Sequence, residues 1–350
     1  MKFVKLDTST PVNYFTYFEA DMEERKILLK YLDFLVSDSA YERVASDGRF
    51  APSLTWRQWA SGTFVGISGD YLLIKSGHRF MSSQEAMDYL PANETPSLLK
   101  SLRKCIAKIR QCHRYGTIKR NFQTFSLGYT EFKSPSLHKV FLESHGFVYL
   151  RMLEVFNLAE LCSPPTAVIE VGGGACVQAA IMINAYNSKY VIIDLPETIA
   201  AGFAYLKTVF PDLRIALPDL VATAIQEGED FESIFERYDV VFLLPYQVDF
   251  LPNARFDLAI NISSFQEMNI QVVNEYLKLF QRVVCPDGQL ILENLKISRE
   301  TSGNSFDRYC LDGFSVEKIC DPWYADQVVR FVPGLHHFFY QGRRSQSVCE

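Results

Sequence analysis

Two regimes of hydrophobic patterning divide this chain. From residue 136 onward, short apolar runs alternate with stretches in which apolar residues recur every three or four positions. Runs at 168–171, 190–193, 240–244, 258–261 and 290–293 predict buried strands, and 337–340 a terminal one. Between them, 177–185, 219–237 and 265–284 predict helices, the last burying Ile270, Val273, Leu277 and Phe280. Ile199, Phe203, Leu206 and Phe210 mark another helix, and a long one over 136–161 ends before Pro164-Pro165. Strands alternating with helices predict an α/β fold: a doubly wound, mainly parallel, Rossmann-like sheet with right-handed crossovers.

Residues 1–134 read differently. Helical spacing occurs at 23–34 and at 97–110, where Leu98, Leu99, Leu102, Ile106 and Ile109 share a face. Trp56, Trp59 and Phe64 come before Gly66 and Gly69, and 71–74 predicts a short strand. The pattern predicts a helix-rich accessory, lid or dimerisation domain over 1–134, ahead of the sheet domain over 135–350. A homodimer is one expectation from it.

Composition narrows the partners. The 350 residues carry a formal charge of −6, which gives no reason to expect nucleic acid. No apolar run is long enough to span a membrane. The first residues turn polar too soon for a secretory signal. Eight cysteines are scattered without a CxxC pair or zinc-ligand spacing, so free thiols in a reducing cytoplasm are expected.

The chemistry lies in the run from Val168 to Cys176. An apolar strand ends at Glu170-Val171, breaks into Gly172-Gly173-Gly174, and a helical pattern follows at once. Glycines leading into a helix N-terminus let a ligand approach bare backbone amides. A dinucleotide loop needs a third glycine at the position of Val177, and no G-K-[ST] follows for a phosphate loop. Asp194 ends the next strand about 20 residues on, where a carboxylate grips ribose hydroxyls.

Glu170, Gly172 and Gly174 resemble the acid-x-Gly-x-Gly-x-Gly opening of class I S-adenosylmethionine (SAM) methyltransferases, with Cys176 standing in the last position. Phe256-Asp257-Leu258-Ala259-Ile260 resembles the approach to their fourth strand. Val284-Cys285-Pro286-Asp287-Gly288-Gln289-Leu290 resembles the turn into their fifth. The string Asn261-Ile262-Ser263-Ser264-Phe265-Gln266-Glu267-Met268, with the turn Asp194-Leu195-Pro196-Glu197, resembles the sugar O-methyltransferase family from about residue 120 to the C-terminus. That resemblance implies a seven-stranded methyltransferase sheet, SAM as cofactor, and a hydroxyl acceptor on a sugar, glycan precursor or related small metabolite. It implies cofactor contacts at Glu170, Gly172, Gly173, Gly174, Asp194, Leu195, Gln247, Asn261 and Ser263. Ser264 and Gln266 are then expected at the acceptor.

Glu267 is the first candidate for the base that takes the acceptor's proton. Ser264-Phe265-Gln266-Glu267 also matches a capping box, in which Glu267 would serve the helix instead. His336 and His337, before the terminal strand, are the next candidates for a base or for a structural pair. His113, His138 and His145 would need a lid to carry them in. Glu293 ends the fifth strand, able to meet substrate or a metal or to cap the next segment. Asp249, Asp257 and Glu267 show no ligand spacing for magnesium, so no obligatory metal is predicted. Phe122, Phe125, Tyr129 and Phe132 are read as core or as a cofactor cover. Two other functions stay open: a NAD-linked oxidoreductase on a similar sheet, and a non-catalytic SAM-binding interaction protein.

Overall fold

The structure, a computed structural model, describes residues 16–19, 21–37, 40–53, 64–68, 71–75, 159, 161, 163–174, 176–296, 304–320 and 337–345. The chain divides into two compact units. Met1–His78, Cys162–Asp321 and Leu335–Glu350 form one, and Arg79–Leu161 with Pro322–Gly334 form the other. Every element named below belongs to the first unit. The helices predicted at 97–110 and, almost entirely, 136–161 lie outside the described residues, as do Trp56, Trp59, the 122–132 aromatics and His113, His138, His145 and His336.

The N-terminal segment supplies β1 (Thr16–Glu19), α1 (Met22–Ser37), α2 (Ala40–Ser46), β2 (Phe64–Ser68) and β3 (Tyr71–Lys75). The three strands form an antiparallel sheet in the order β1-β3-β2. The pattern predicted α1 and β3; β1, α2 and β2 among the described residues were not legible in it.

The main sheet begins with β4 (Ala167–Val171), buried at every position because helices cover both faces of a parallel sheet. There follow α3 (Val177–Tyr186), β5 (Lys189–Ile193), α4 (Pro196–Val209), β6 (Ile215–Ala216), α5 (Pro218–Gln226), α6 (Phe231–Arg237) and β7 (Val240–Leu243). Proline at the first position starts α4 and α5, where its missing N–H is harmless. Asp230 caps α6 by accepting from the Ser233 amide at 2.7 Å. Then come β8 (Phe256–Ile262), α7 (Ile270–Val283), β9 (Val284–Leu295), β10 (Phe314–Cys320) and β11 (His337–Arg344).

These strands make one eight-stranded sheet in the order β10-β11-β9-β8-β4-β5-β7-β6. All neighbours from β9 to β6 are parallel, and β11 runs antiparallel to β9 and β10. The expected doubly wound, mainly parallel fold is present, with eight strands rather than seven. The extra one is the two-residue β6 at the outer edge, too short to leave a period in the sequence. The core joins Ile169, Val191, Val241 and Ala259 of the sheet to Val273, Leu277 and Phe280 of α7.

Candidate functional site

Strand order reverses between β4 and β8. From β4 the chain runs to β5 and β7 on one side, then returns to β8 and β9 on the other. A doubly wound sheet binds ligand in the crevice at the carboxyl ends of the strands at such a point. Here the crevice is edged by the glycine loop after β4, by Asp194 and Leu195 after β5, and by Ser263 to Glu267 after β8. Two non-glycine residues at positive φ sit on this edge, Cys176 at 60° and Ser263 at 59°. Backbone held in that region is costly and collects at functional sites.

The three glycines answer to different neighbours. A Cβ on Gly172 (φ 75°) would lie 2.1 Å from Ser264 Oγ, and one on Gly173 would lie 2.8 Å from Ile192 Cγ2. Both are closed by packing. A Cβ on Gly174 (φ 56°) would meet nothing within 4 Å, so this glycine fronts open space. Its amide donates to Asp194 Oδ2 at 2.9 Å, tying the loop to the acid of the next strand. Cys176 departs from the methyltransferase pattern for a packing reason. Its thiol is buried, and a Cβ on Gly202 of α4 would lie 2.3 Å from its Sγ. The missing side chain of Gly202 leaves the room that the extra one at Cys176 fills. Burial pushes this thiol's pKa well up, with the charges of Glu170 and Asp194 adding to it.

Asp194 is buried and accepts from Gly174 N, from Leu195 N at 2.7 Å and from the Thr198 side chain. Burial pushes its pKa up to about 6 against those donors. A carboxylate offers about four lone-pair sites. Three are used here, so one hydroxyl can be accepted directly, and a second when the Thr198 hydroxyl rotates away. Leu195 takes part through its backbone amide and stands at the start of α4.

Glu170 lies under the loop rather than in the crevice. It is buried, and the Tyr190 hydroxyl donates to its Oε2 at 2.8 Å. Burial pushes its pKa up to about 8, opposed by that hydrogen bond. Buried against Tyr190, it props the loop from below. Tyr190 was missed in the sequence. Val168 pairs with Tyr190, which puts the tyrosine diagonal to Glu170 on one face of the sheet.

After β8, buried polar groups lock the strand ends together. Asn261 Nδ2 donates to the Val171 carbonyl at 2.8 Å and to Ser264 Oγ, while its Oδ1 accepts from Asn294 Nδ2 at 2.9 Å and Phe265 N at 3.2 Å. The Ser264 hydroxyl donates to the Val171 carbonyl at 3.1 Å. Both residues thus hold β4 to the turn after β8. Gln266 Oε1 accepts from Leu295 N at 2.9 Å, and its own amide donates to Asn294 Oδ1 at 3.2 Å. Gln247 is buried: its Oε1 accepts from Leu244 N at 2.8 Å and its Nε2 donates to the Pro218 carbonyl at 3.0 Å. It shapes the turn Pro245–Phe250 after β7 instead of presenting an amide to an adenine. Asn294 is the member of this network that the sequence reading missed; a fully buried asparagine in an apolar strand was its signal.

Ser263 and Glu267 are half-buried, and Glu293 is fully buried beside Ser263. Ser263 Oγ donates to Glu293 Oε2 at 3.1 Å, and its amide to the Glu293 carbonyl at 2.6 Å. Glu267 is half-buried in a single 3-10 turn, Phe265–Glu267. The capping box lacks its serine half, because Ser264 makes no side-chain cap bond and α7 starts only at Ile270. His337 opens β11 opposite Leu295 of β9. The acids weighed as metal ligands are dispersed. Asp249 pairs with Arg49, and Asp257 accepts from Thr166 and Ala167 at the opposite end of β4. Among the described residues no group of three His, Cys, Asp or Glu could hold a metal ion.

No family model and no curated protein matches the sequence. Among solved structures, the chain is similar to a geranyl diphosphate C-methyltransferase from Streptomyces coelicolor A3(2), at 11% identity and TM-score 0.41 over 61% of this chain and 82% of that one. It is similar to the PH0226 protein of Pyrococcus horikoshii OT3, at 13% identity and TM-score 0.39 over 65% and 99%. It is also similar to phosphoethanolamine N-methyltransferase 2 of Haemonchus contortus, at 8% identity and TM-score 0.39 over 56% and 52%. The likeness is one of overall fold.

The crevice combines an open glycine, a carboxylate with spare acceptor capacity, and half-buried polar side chains beyond β8. Such a set can hold a ligand's hydroxyls at β5 and its polar chain along the loop. It leaves the end of β8 for a reacting group. Among the described residues, no helix is long and apolar enough to cross a membrane.

Proposed function

We propose that this protein moves a methyl group from SAM to a hydroxyl on a small acceptor of the sugar class. The observation that supports the reading most is the pairing of Gly174 with Asp194. The glycine that fronts open space donates its amide to the acid whose remaining lone pair suits a ribose hydroxyl. Val177, buried at the first position of α3, stands where a pyrophosphate loop needs glycine. That disfavours a dinucleotide.

SAM supplies a methyl group on a positively charged sulfur. In this reading the glycine loop, propped by Glu170, carries the methionine end, and Asp194 orients the ribose. The acceptor oxygen has to sit roughly 3 Å from the methyl carbon, in line with the departing sulfur, with water kept out. Ser263 and Glu267 edge the place where that oxygen would lie. Glu267 is proposed as the base, a role that adds roughly 10²–10⁴-fold when the carboxylate is within hydrogen-bond reach. His336 is the alternative base.

The test is transfer of labelled methyl from SAM to a panel of monosaccharides and polyols. For an acceptor that turns over, Glu267→Gln should lower kcat by roughly 10²-fold or more and leave SAM affinity unchanged. Full turnover by this variant would remove Glu267 from the mechanism. Label transferred only to amine or carbon acceptors would replace the hydroxyl reading.

A further inference from the structure

We infer that Tyr31 is a positioning residue for the Asp194 turn, so that helix α1 sets the grip on the cofactor's ribose. The inference rests on the SAM reading and extends it to a segment that no motif assigns. Tyr31 is fully buried, and its hydroxyl donates to the carbonyl of Pro196 at 3.1 Å, across 165 positions of sequence. Pro196 is the first residue of α4, and Asp194-Leu195 leads directly into it. A donor fixed on this carbonyl fixes the path of the turn that presents Asp194.

The surroundings make the tyrosine a committed donor. Burial, then the charges of Glu197, Asp219 and Asp194, hold its phenol protonated far above neutral pH. The segment after α1 keeps the helix in place. Arg43 lies over the Tyr246 ring at 5.7 Å, and Arg49 forms a two-pronged pair with Asp249 at 3.0 and 2.8 Å. Both partners belong to the turn after β7. Asp47 Oδ1 accepts from the amides of Arg49 and Phe50, and the Phe50 ring packs 4.5 Å from that of Tyr276 in α7. The segment therefore lands on the turn after β7 and on α7, while Tyr31 of α1 reaches the start of α4. The turn after β7 follows the strand whose Leu243 carbonyl accepts from the Asp194 amide at 3.2 Å.

A merely structural tyrosine would lower stability and leave the affinity of the folded protein unchanged. The experiment is calorimetric titration of S-adenosylhomocysteine (SAH), the demethylated cofactor, into the intact chain at a temperature where every variant is folded. Tyr31→Phe should weaken SAH binding about three- to tenfold, the worth of one hydrogen bond. In an Asp194→Asn background, titrated to millimolar SAH, the same change should cost nothing further, because Tyr31 acts through Asp194. Unchanged affinity in Tyr31→Phe, with or without a drop in Tm, overturns the inference. So does equal weakening in both backgrounds. Failure of the unsubstituted protein to bind SAH is a different result: it overturns the cofactor reading, and this inference with it.

Discussion

A single carbon added at Gly202 would meet the Cys176 thiol at 2.3 Å, between two buried residues. Gly202→Ala should therefore destabilise the protein by about 1–3 kcal/mol, the usual cost of overpacking. Adding Cys176→Gly should restore most of the loss, since glycine tolerates φ 60° and vacates the space. Urea denaturation of the two singles and the double decides it, and additive losses would contradict the pairing. Glu170 offers a second test. Its folded pKa, about 8, lies above the ordinary carboxylate value near 4.5, so between these pH values the folded state holds a proton the unfolded state has lost. Its contribution to stability therefore falls as pH rises from about 4.5 to 8. Glu170→Gln should flatten that slope and leave the variant more stable than the parent at pH 8. Unfolding midpoints across this pH range measure it; parallel curves would place the charge elsewhere. The position of Asp194 at the end of β5 was legible from spacing. Tyr190 and Gly202 were not, because each acts through a contact formed only when strands and helices pack.

The elements were legible to different degrees. The central strands showed as continuous apolar runs because helices cover both their faces. β10 escaped notice because its burial pattern is mostly exposed, as suits an edge strand. The helix expected from residue 265 starts at Ile270 instead. Its apparent cap, Ser264, turns to the Val171 carbonyl, and Asn261 and Asn294 complete that link between strand ends. A local signature lost to a tertiary one. The network predicts a specific cost. Asn261→Ala leaves the Phe265 amide and Asn294 Nδ2 without the acceptor they share, at about 1–3 kcal/mol for each unsatisfied group. Chemical denaturation should show this loss. A change within about 0.5 kcal/mol would mean that the network contributes little.

Across the whole molecule, the reversal between β4 and β8 places the glycine loop, Asp194 and Glu267 around one crevice. That arrangement followed from the alternation of strands and helices. The part played by α1 did not, because Tyr31 gives no signal until the chain has folded back on α4. What the crevice binds decides the chemistry proposed for it. Titrating SAH and NAD in parallel into the protein and its Asp194→Asn variant, from pH 5 to 8, tests this most directly. The carboxylate form of Asp194 accepts the ribose hydroxyls, so SAH affinity should rise with pH through about 6. The variant should bind SAH at least about tenfold more weakly, with that pH dependence gone. NAD should not bind. SAH binding that ignores both Asp194 and pH would contradict the ribose assignment, and NAD binding without SAH binding would contradict the account as a whole.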